Sequence, residues 1–361
     1  MPFALTSHIH LGGVCAFCCR ALGVLAAASP PPRIRAHLLS AGAPAALVAT
    51  LGVHRDRADV AHFGCKALAN LGAWEGGWEA VIAAGGASAA ADALRTHAAS
   101  SPAVAHYGCK ALAVAAAGPA GGDAAAARPG RDAVARAGGV RVLLSVAEPA
   151  EAPEEALYYA LKGAAALAGP AAATPLRAAV VDAGWPGLVM RVLRTRGMAS
   201  LALSSAALRV VAAICVGQGA GRGAIVAAGG AGVVVPALNA KGAEHEVLAV
   251  AGVVALGALV DGTAPEIAAF SAAGGVKAIV AAMSAHEGSG SLAGAGCDAL
   301  AHCAVFLRKD TLEAGALEAV ARAEAAHPEC SVVADGARRA MDAKHLPAPH
   351  ISSFSKRPSP F

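Results

Sequence analysis

The chain has 361 residues, of which 56% are hydrophobic but only 4% are aromatic and 15% are charged. The formal net charge of +4 is too small to indicate nucleic-acid binding by itself. Mean hydropathy is positive at +0.55, but the longest uncharged internal stretches are broken by Gly and Pro or are shorter than the ~20 residues that a membrane-spanning helix needs. We therefore expect no integral membrane association.

The N-terminus has some features of a signal peptide. No charged residue precedes Arg20, and Ala26-Ala27-Ala28-Ser29 resembles a cleavage site. However, a signal peptide begins with basic residues, which are missing here, and Arg20 interrupts the apolar stretch. We therefore do not expect secretion, and the lack of Gly at position 2 argues against myristoylation.

The next elements form an internal repeat. A longer helical pattern, clearest at residues 64–71 and nearly repeated at 108–112 and 296–300, alternates with shorter helical patterns that follow an Ala-Gly turn. Glycine ends one helix there and lets the next begin at a steep angle. The turn glycines are Gly42, Gly85, Gly138, Gly184, Gly229, Gly274 and Gly315, separated by 43, 53, 46, 45, 45 and 41 residues.

Each unit thus reads as a short helix, the Ala-Gly turn, a second helix, a polar turn and a longer third helix. The pattern opens inside a third helix at Cys15 to Leu25 and closes with another at Val332 to Met341. Residues 118–131, rich in Gly, Ala and Pro, are predicted to be a loop. The Pro- and Ser-rich segment 343–361 is predicted to be a disordered tail after a repeat solenoid over 1–342.

Nine cysteines is an odd number, and the chain is far too long for a disulfide scaffold. Cys15, Cys18 and Cys19, with His8 and His10, are one possible metal cluster. We favour packing, because four cysteines recur at one repeat position where a small apolar side chain is needed. We therefore predict no metal and a reducing, cytoplasmic or nuclear location. The recurring cysteines are Cys19, Cys65, Cys109 and Cys297.

These repeats resemble the armadillo-repeat family, to which β-catenin and importin-α belong, over roughly Cys15 to Met341. HEAT repeats are the nearest alternative, but they lack the glycine-punctuated first helix. The resemblance implies an all-α fold, a right-handed α–α superhelix of about seven to eight repeats, whose third helices line a concave groove.

In importin-α and its relatives, Trp on the third helix and Asn four residues later hold an extended peptide. Here Asn70 keeps the Asn position, but no Trp keeps the other position. The Trp position is cationic in five successive units instead, which we call the basic row. His62, His106, Tyr158 and Ser205 lie one helical turn earlier on the same face. The basic row comprises Arg20, Lys66, Lys110, Lys162 and Arg209.

No catalytic motif is found. Residues 219–224 and 288–293 match a dinucleotide-binding loop only loosely and follow no predicted strand, and there is no P-loop, nucleophile elbow or zinc-protease motif. We predict no enzyme activity and no cofactor.

The sequence leaves three functions open. The first is a scaffold that binds an extended, acidic protein segment through the basic row and Asn70. The second is a nuclear-transport adaptor like importin-α, and the third is a structural assembly subunit. The basic row could also be plain solvated surface, since Lys and Arg are common on exposed helix faces.

Overall fold

The computed structural model describes residues 2–342, except positions 29, 120, 123–124, 170–171, 173, 216–218 and 261–262. Throughout this described part the secondary structure is helical, and no β-strand occurs in it. Contacts divide the chain into two compact units, Met1–Ala183 (unit 1) and Gly184–Phe361 (unit 2). The predicted tail, 343–361, lies outside the described residues.

The described residues of unit 1 form twelve α-helices. The third helices of its repeats are α2, α5, α8 and α11, and each packs on the next within the unit. The helices α1 to α12 are Pro2–Ser7, Gly12–Ala27, Pro32–Ser40, Ala43–Val53, Ala58–Leu71, Gly77–Ala83, Gly86–His97, Pro102–Ala117, Arg128–Arg136, Gly139–Ala147, Glu154–Ala168 and Thr174–Asp182.

Unit 2 repeats the arrangement in its described residues, with α14, α17, α20 and α23 as third helices that pack in the same successive manner. A π-helical turn, Leu193–Gly197, extends α13, and a 3-10 turn, Pro328–Cys330, precedes α23. The helices α13 to α23 are Trp185–Val192, Leu201–Cys215, Gly219–Ala227, Gly230–Lys241, Glu246–Leu259, Ala264–Ala272, Gly275–Ala285, Gly290–Phe306, Arg308–Glu313, Ala316–Ala326 and Ser331–Asp342.

The Ala-Gly turns lie where the sequence predicts them. All seven glycines have φ between +70° and +102°, in the left-handed region that L side chains rarely adopt, and each precedes the second helix of its repeat. The repeat prediction is therefore confirmed at the positions that carried it.

Glycines inside the third helices serve packing instead. A Cβ atom added to Gly108 on α8 would lie 2.6 Å from Leu94 Cγ on α7, and one added to Gly252 on α17 would lie 2.8 Å from Leu238 Cδ1 on α16. A side chain at either position would push the two helices apart, so small residues let the second and third helices of a repeat approach closely.

The cysteines behave as small core residues. All nine thiols are buried and unpaired. Burial raises the pKa of Cys65 to about 12, and burial with neighbouring thiols and Asp59 raises the pKa of Cys19 to about 12. These thiols therefore stay protonated and unreactive at neutral pH. In the described part of the chain, no group of three or more metal-ligating side chains is close enough to hold an ion.

Three local features differ from the sequence expectation. The helix α1 precedes the first third helix and packs on α2 and α4. The predicted loop over 118–131 is shorter, because α9 already begins at Arg128 with Pro129 in its first turn, a position that favours helix initiation. The π-helical turn after α13 was not predicted from the sequence.

No single described helix has both the length and the apolar composition to cross a bilayer. Three sharply bent helix pairs pass the same criteria together, namely Pro32–Ser40 with Ala43–Val53, Ala220–Ala227 with Gly230–Lys241, and Ala264–Ala272 with Gly275–Ala285.

Candidate partner-binding site

The third helices of unit 1 each carry one cation of the basic row. Arg20 lies on α2, Lys66 on α5, Lys110 on α8 and Lys162 on α11. Arg20 and Lys162 are exposed, whereas Lys66 and Lys110 are half-buried. Since α2, α5, α8 and α11 pack in sequence, the repeat brings these four charges to equivalent positions of neighbouring helices.

Each of the first three cations lies over an aromatic ring of the following third helix. The distance from the cationic group to the ring centroid is 5.7 Å from Arg20 to Phe63 and 5.2 Å from Lys66 to Tyr107. Lys110 lies 5.9 Å from the ring of Tyr159. Distances below about 6 Å permit a cation–π attraction, which holds the charges in register.

The last cation, Lys162, contacts two rings of its own helix. Its ammonium group is 5.5 Å from the centroid of Tyr158 and 5.8 Å from that of Tyr159. Lys110 and Lys162 therefore share the ring of Tyr159. We call the four cations and these rings the cation–aromatic row. It comprises Arg20, Lys66, Lys110, Lys162, Phe63, Tyr107, Tyr158 and Tyr159.

Two imidazoles complete the stack of rings. His62 stacks on Phe63 with ring centroids 4.4 Å apart and on Tyr107 of the next helix at 5.3 Å. His106 stacks on Tyr107 at 4.3 Å and on Tyr159 at 5.4 Å. The rings thus alternate between α5, α8 and α11, and they link the three helices on the face that carries the cations.

The cations of the row lie close enough together to repel one another. Burial and the nearby charges of Lys66 and Lys162 lower the pKa of Lys110 below its ordinary value. Among the described residues, no acidic side chain forms an ion pair with any of the four cations of unit 1. An anion that approached this face would therefore relieve repulsion between ammonium groups.

Asn70, the remaining predicted contact in unit 1, is buried with 9% of its surface exposed. Its Nδ2 atom donates a hydrogen bond to the Gly23 carbonyl on α2 at 3.1 Å, and its Oδ1 atom accepts one from Lys110 Nζ at 3.0 Å. Asn70 thus connects α2, α5 and α8 and positions Lys110. Direct contact of Asn70 with a partner stays a prediction.

The last cation of the basic row, Arg209, belongs to unit 2, where it is exposed on α14. At the equivalent position the next three helices carry Val254, Asp298 and Arg338. Arg338 forms ion pairs with Glu324 and Asp335. The face therefore differs between the units, since the four unit 1 cations of the basic row have no such acidic partner in the part of the chain that the structure describes.

Sequence reasoning noted His62, His106, Tyr158 and Ser205 on this face, but it missed three rings that contact the cations, namely Phe63, Tyr107 and Tyr159. A signal was present, because the residue three positions before each cation of unit 1 is aromatic. The chain has only seven Phe, three Tyr and three Trp. The residues at this position are Phe17, Phe63, Tyr107 and Tyr159.

Comparisons with solved structures identify the fold. A designed armadillo repeat protein in complex with the peptide (KR)4 is 20% identical with a TM-score of 0.54, and the match covers 65% of this chain and 92% of the designed one. Computationally designed armadillo repeat proteins for modular peptide recognition match at 19% identity and a TM-score of 0.55, with coverage of 72% and 99%. An engineered protein matches at 22% identity and a TM-score of 0.51, with coverage of 92% and 96%.

No protein-family model matches the sequence. No curated protein matches it either. The similarity to known proteins therefore rests on structure alone, and it shows the fold. The turn glycines, the successive packing of third helices within each unit and these neighbours agree, and the chain has the armadillo-type, all-helical repeat fold.

Proposed function

We propose that this chain is a protein-interaction scaffold that binds an extended, acidic segment along the third helices of unit 1. The observation that carries the proposal is the cation–aromatic row, in which four cations occupy one repeat register and form no ion pair with an acidic side chain of the described residues. Most exposed Lys and Arg side chains are mobile. Here the rings restrain them, which lowers the entropy lost when an anion binds.

The spacing of the row indicates the form of the partner. Packed helices lie about 8–10 Å apart, and an extended chain advances about 3.3 Å per residue. A peptide that runs across α2, α5, α8 and α11 would therefore meet a new cation at about every third residue. Aspartate, glutamate or phosphoserine at that interval would match the row.

The charge of the row also excludes some ligands. The designed protein described above was solved with (KR)4, a basic peptide. A basic segment on unit 1 of this chain would face Lys66, Lys110 and Lys162, and the like charges would repel it. The ring faces are occupied by the protein's own cations and imidazoles, which leaves them unavailable for stacking with nucleic-acid bases.

Within this proposal Arg20, Lys66, Lys110 and Lys162 contact the partner, and Asn70 positions Lys110. Contact of the partner with Arg209 of unit 2 stays a prediction. A scaffold of this kind needs no catalytic group or cofactor. Its buried free thiols suit a reducing environment, and we place it in the cytoplasm or the nucleus.

Two alternatives remain as functional candidates. A transport adaptor like importin-α has little support, because the carboxamide of Asn70 is already bonded to Gly23 and Lys110. An assembly subunit is favoured by exposed apolar residues at the start of the chain, where Phe3 is 81% and Phe17 71% exposed. Association of copies through this patch would appear in sedimentation as a concentration-dependent mass.

Calorimetric titration with a terminally blocked peptide of repeated Glu-Gly-Ser units tests the scaffold proposal. We expect binding that weakens steeply with salt, because exposed charge pairs are screened within about 8–10 Å at moderate ionic strength. Changing Lys66, Lys110 and Lys162 together to Ala should remove binding. Lys277→Ala, at an exposed position on α19 of unit 2, is the matched control and should leave it unchanged. Binding that ignores salt or survives the triple change would refute the proposal.

A further inference from the structure

His62 and His106 occupy equivalent positions on α5 and α8, four residues before Lys66 and Lys110. Both imidazoles are half-buried and reach the same exposed face as the lysines. Each stacks against its own helix and the next one, so the rings are fixed within the row.

The charges around these imidazoles are almost all positive. Burial, Lys66 and His106 lower the pKa of His62. Burial also lowers the pKa of His106, as do Lys110 and Lys66, while Glu155 at the start of α11 acts in the opposite direction. Both side chains are therefore neutral at pH 7 in the free protein, since the ordinary pKa of histidine is already about 6.5.

The other titratable groups near the two imidazoles are phenols and cations of the packed helices. Tyr107 of α8 and Tyr159 of α11 stack on the imidazoles, and burial together with Tyr158 and Tyr107 raises the pKa of Tyr159. Arg20 of α2 lies over Phe63, the ring on which His62 stacks. Phenols, ammonium groups and guanidinium groups ordinarily titrate at about pH 10 or above.

We infer that His62 and His106 belong to the anion-binding surface and that they take up protons when an acidic segment binds. The inference rests on the proposed function, because it needs an anion on the cation–aromatic row. It adds two contact residues that are absent from the basic row and a dependence on pH that permanent cations alone would not produce.

The physical reason is the positive electrostatic potential that the lysines produce at the two imidazole rings. In the free protein, Lys66 and Lys110 oppose any additional positive charge on the two imidazoles. A carboxylate bound between them cancels this field and adds an attraction for an imidazolium, so the pKa of each imidazole rises. Stacking does not prevent protonation, because an imidazolium is also attracted by the phenol rings.

Thermodynamic linkage between proton binding and peptide binding determines how the affinity changes with pH. A ligand that raises the pKa of a group binds more tightly to the protonated form, so affinity increases as the pH falls through the pKa values of the two imidazoles. For each imidazole whose pKa rises by one unit, the affinity at low pH exceeds that at high pH by about tenfold. The carboxylates of a Glu-Gly-Ser peptide stay ionised above about pH 5.5, so they contribute little to this change.

The experiment is calorimetric titration of the full chain with the Glu-Gly-Ser peptide between about pH 5.5 and 8. At about pH 6.5 it is repeated in two buffers of different ionisation enthalpy, neither of them phosphate, so that the number of protons taken up is measured directly. We expect net proton uptake and an affinity that rises by about tenfold or more toward low pH.

The double variant His62→Phe/His106→Phe keeps flat rings in both stacks and removes the titrating groups. Its affinity for the peptide should no longer change between about pH 5.5 and 8. His302→Phe, on the third helix α20 of unit 2, is the matched control and should keep the full pH dependence. Circular dichroism establishes that each variant is folded.

The outcomes separate the two proposals. Salt-sensitive binding without proton uptake, or equal uptake by the double variant, would refute the role of the imidazoles and leave the scaffold intact. No binding of the peptide at any pH would refute the acidic-ligand function and this inference with it.

Discussion

Units 1 and 2 have the same repeat architecture but different residues on the faces of their third helices. At the cation position unit 1 carries Arg20, Lys66, Lys110 and Lys162, whereas unit 2 carries Arg209, Val254, Asp298 and Arg338. Three residues earlier, unit 1 has a Phe or Tyr on each helix, and unit 2 has Ala206, Ala251, Ala295 and Asp335.

The buried positions, in contrast, are alike in the two units. Gly108 of unit 1 and Gly252 of unit 2 both lie against a leucine of the preceding helix, and the turn glycines have positive φ in both units. The residues at the buried positions of each repeat therefore determine the fold. The residues at the exposed positions can change from one repeat to the next. A function that depends on the exposed register can belong to one unit alone.

The first prediction concerns this shared core and has the largest expected effect on stability. Gly108→Ala places a methyl group against Leu94, which is 2% exposed and has little room to move. We expect a loss of about 2–3 kcal/mol in the free energy of unfolding. Gly252→Ala, against the more flexible end of Leu238, should cost about 1–2 kcal/mol.

Urea denaturation followed by circular dichroism measures both changes. Gly187→Ala on α13 is the control, because an added Cβ there meets no atom within 4 Å. Alanine is the better helix former, so this variant should be neutral or more stable by up to about 1 kcal/mol. If the control loses as much stability as Gly108→Ala, close packing is not what selects glycine.

The second prediction concerns the hydrogen bonds by which Asn70 connects three helices of unit 1. Asn70→Ala removes the hydrogen bonds to Gly23 and Lys110, and we expect a loss of about 1–2 kcal/mol in the free energy of unfolding. Val24→Ala, at the equivalent and exposed position of α2, removes two methyl groups but no side-chain hydrogen bond and is the control. Unchanged stability of the Asn70→Ala variant would show that the carboxamide does not hold the three helices together.

The third prediction concerns the rings, and its effect is the smallest. Tyr107→Leu keeps an apolar side chain but removes the ring under Lys66. A cation–π contact at a partly exposed site contributes about 0.5–1 kcal/mol, so affinity for the Glu-Gly-Ser peptide should fall by about two- to fivefold. Val254→Leu in unit 2 should have no effect on the same titration. Full affinity after Tyr107→Leu would show that the ring does not organise the cation.

Part of the fold and part of the candidate site could be predicted from the sequence. The Ala-Gly turns and the positions of the third helices follow from local periodicity, and the structure confirms them. The cation register was also visible, because it repeats with the helices. The contact of Lys66 with Tyr107 and the bonds of Asn70 to α2 and α8 were not, since they depend on how one repeat is rotated against the next. Local propensity carries no information about that rotation.

The most direct test of the central claim is a charge exchange on the third helices of unit 1. The variant Lys66→Glu/Lys110→Glu/Lys162→Glu should lose the Glu-Gly-Ser peptide and gain a Lys-Gly-Ser peptide of the same length, with both affinities measured by calorimetry at low salt. Lys162 is exposed, whereas Lys66 and Lys110 are half-buried and Lys110 donates a hydrogen bond to Asn70, so circular dichroism is used to establish that the variant is folded. Lys277→Glu should leave both affinities as they are in the original protein. If the triple variant still binds the Glu-Gly-Ser peptide with its original affinity, the cation–aromatic row is not the binding surface.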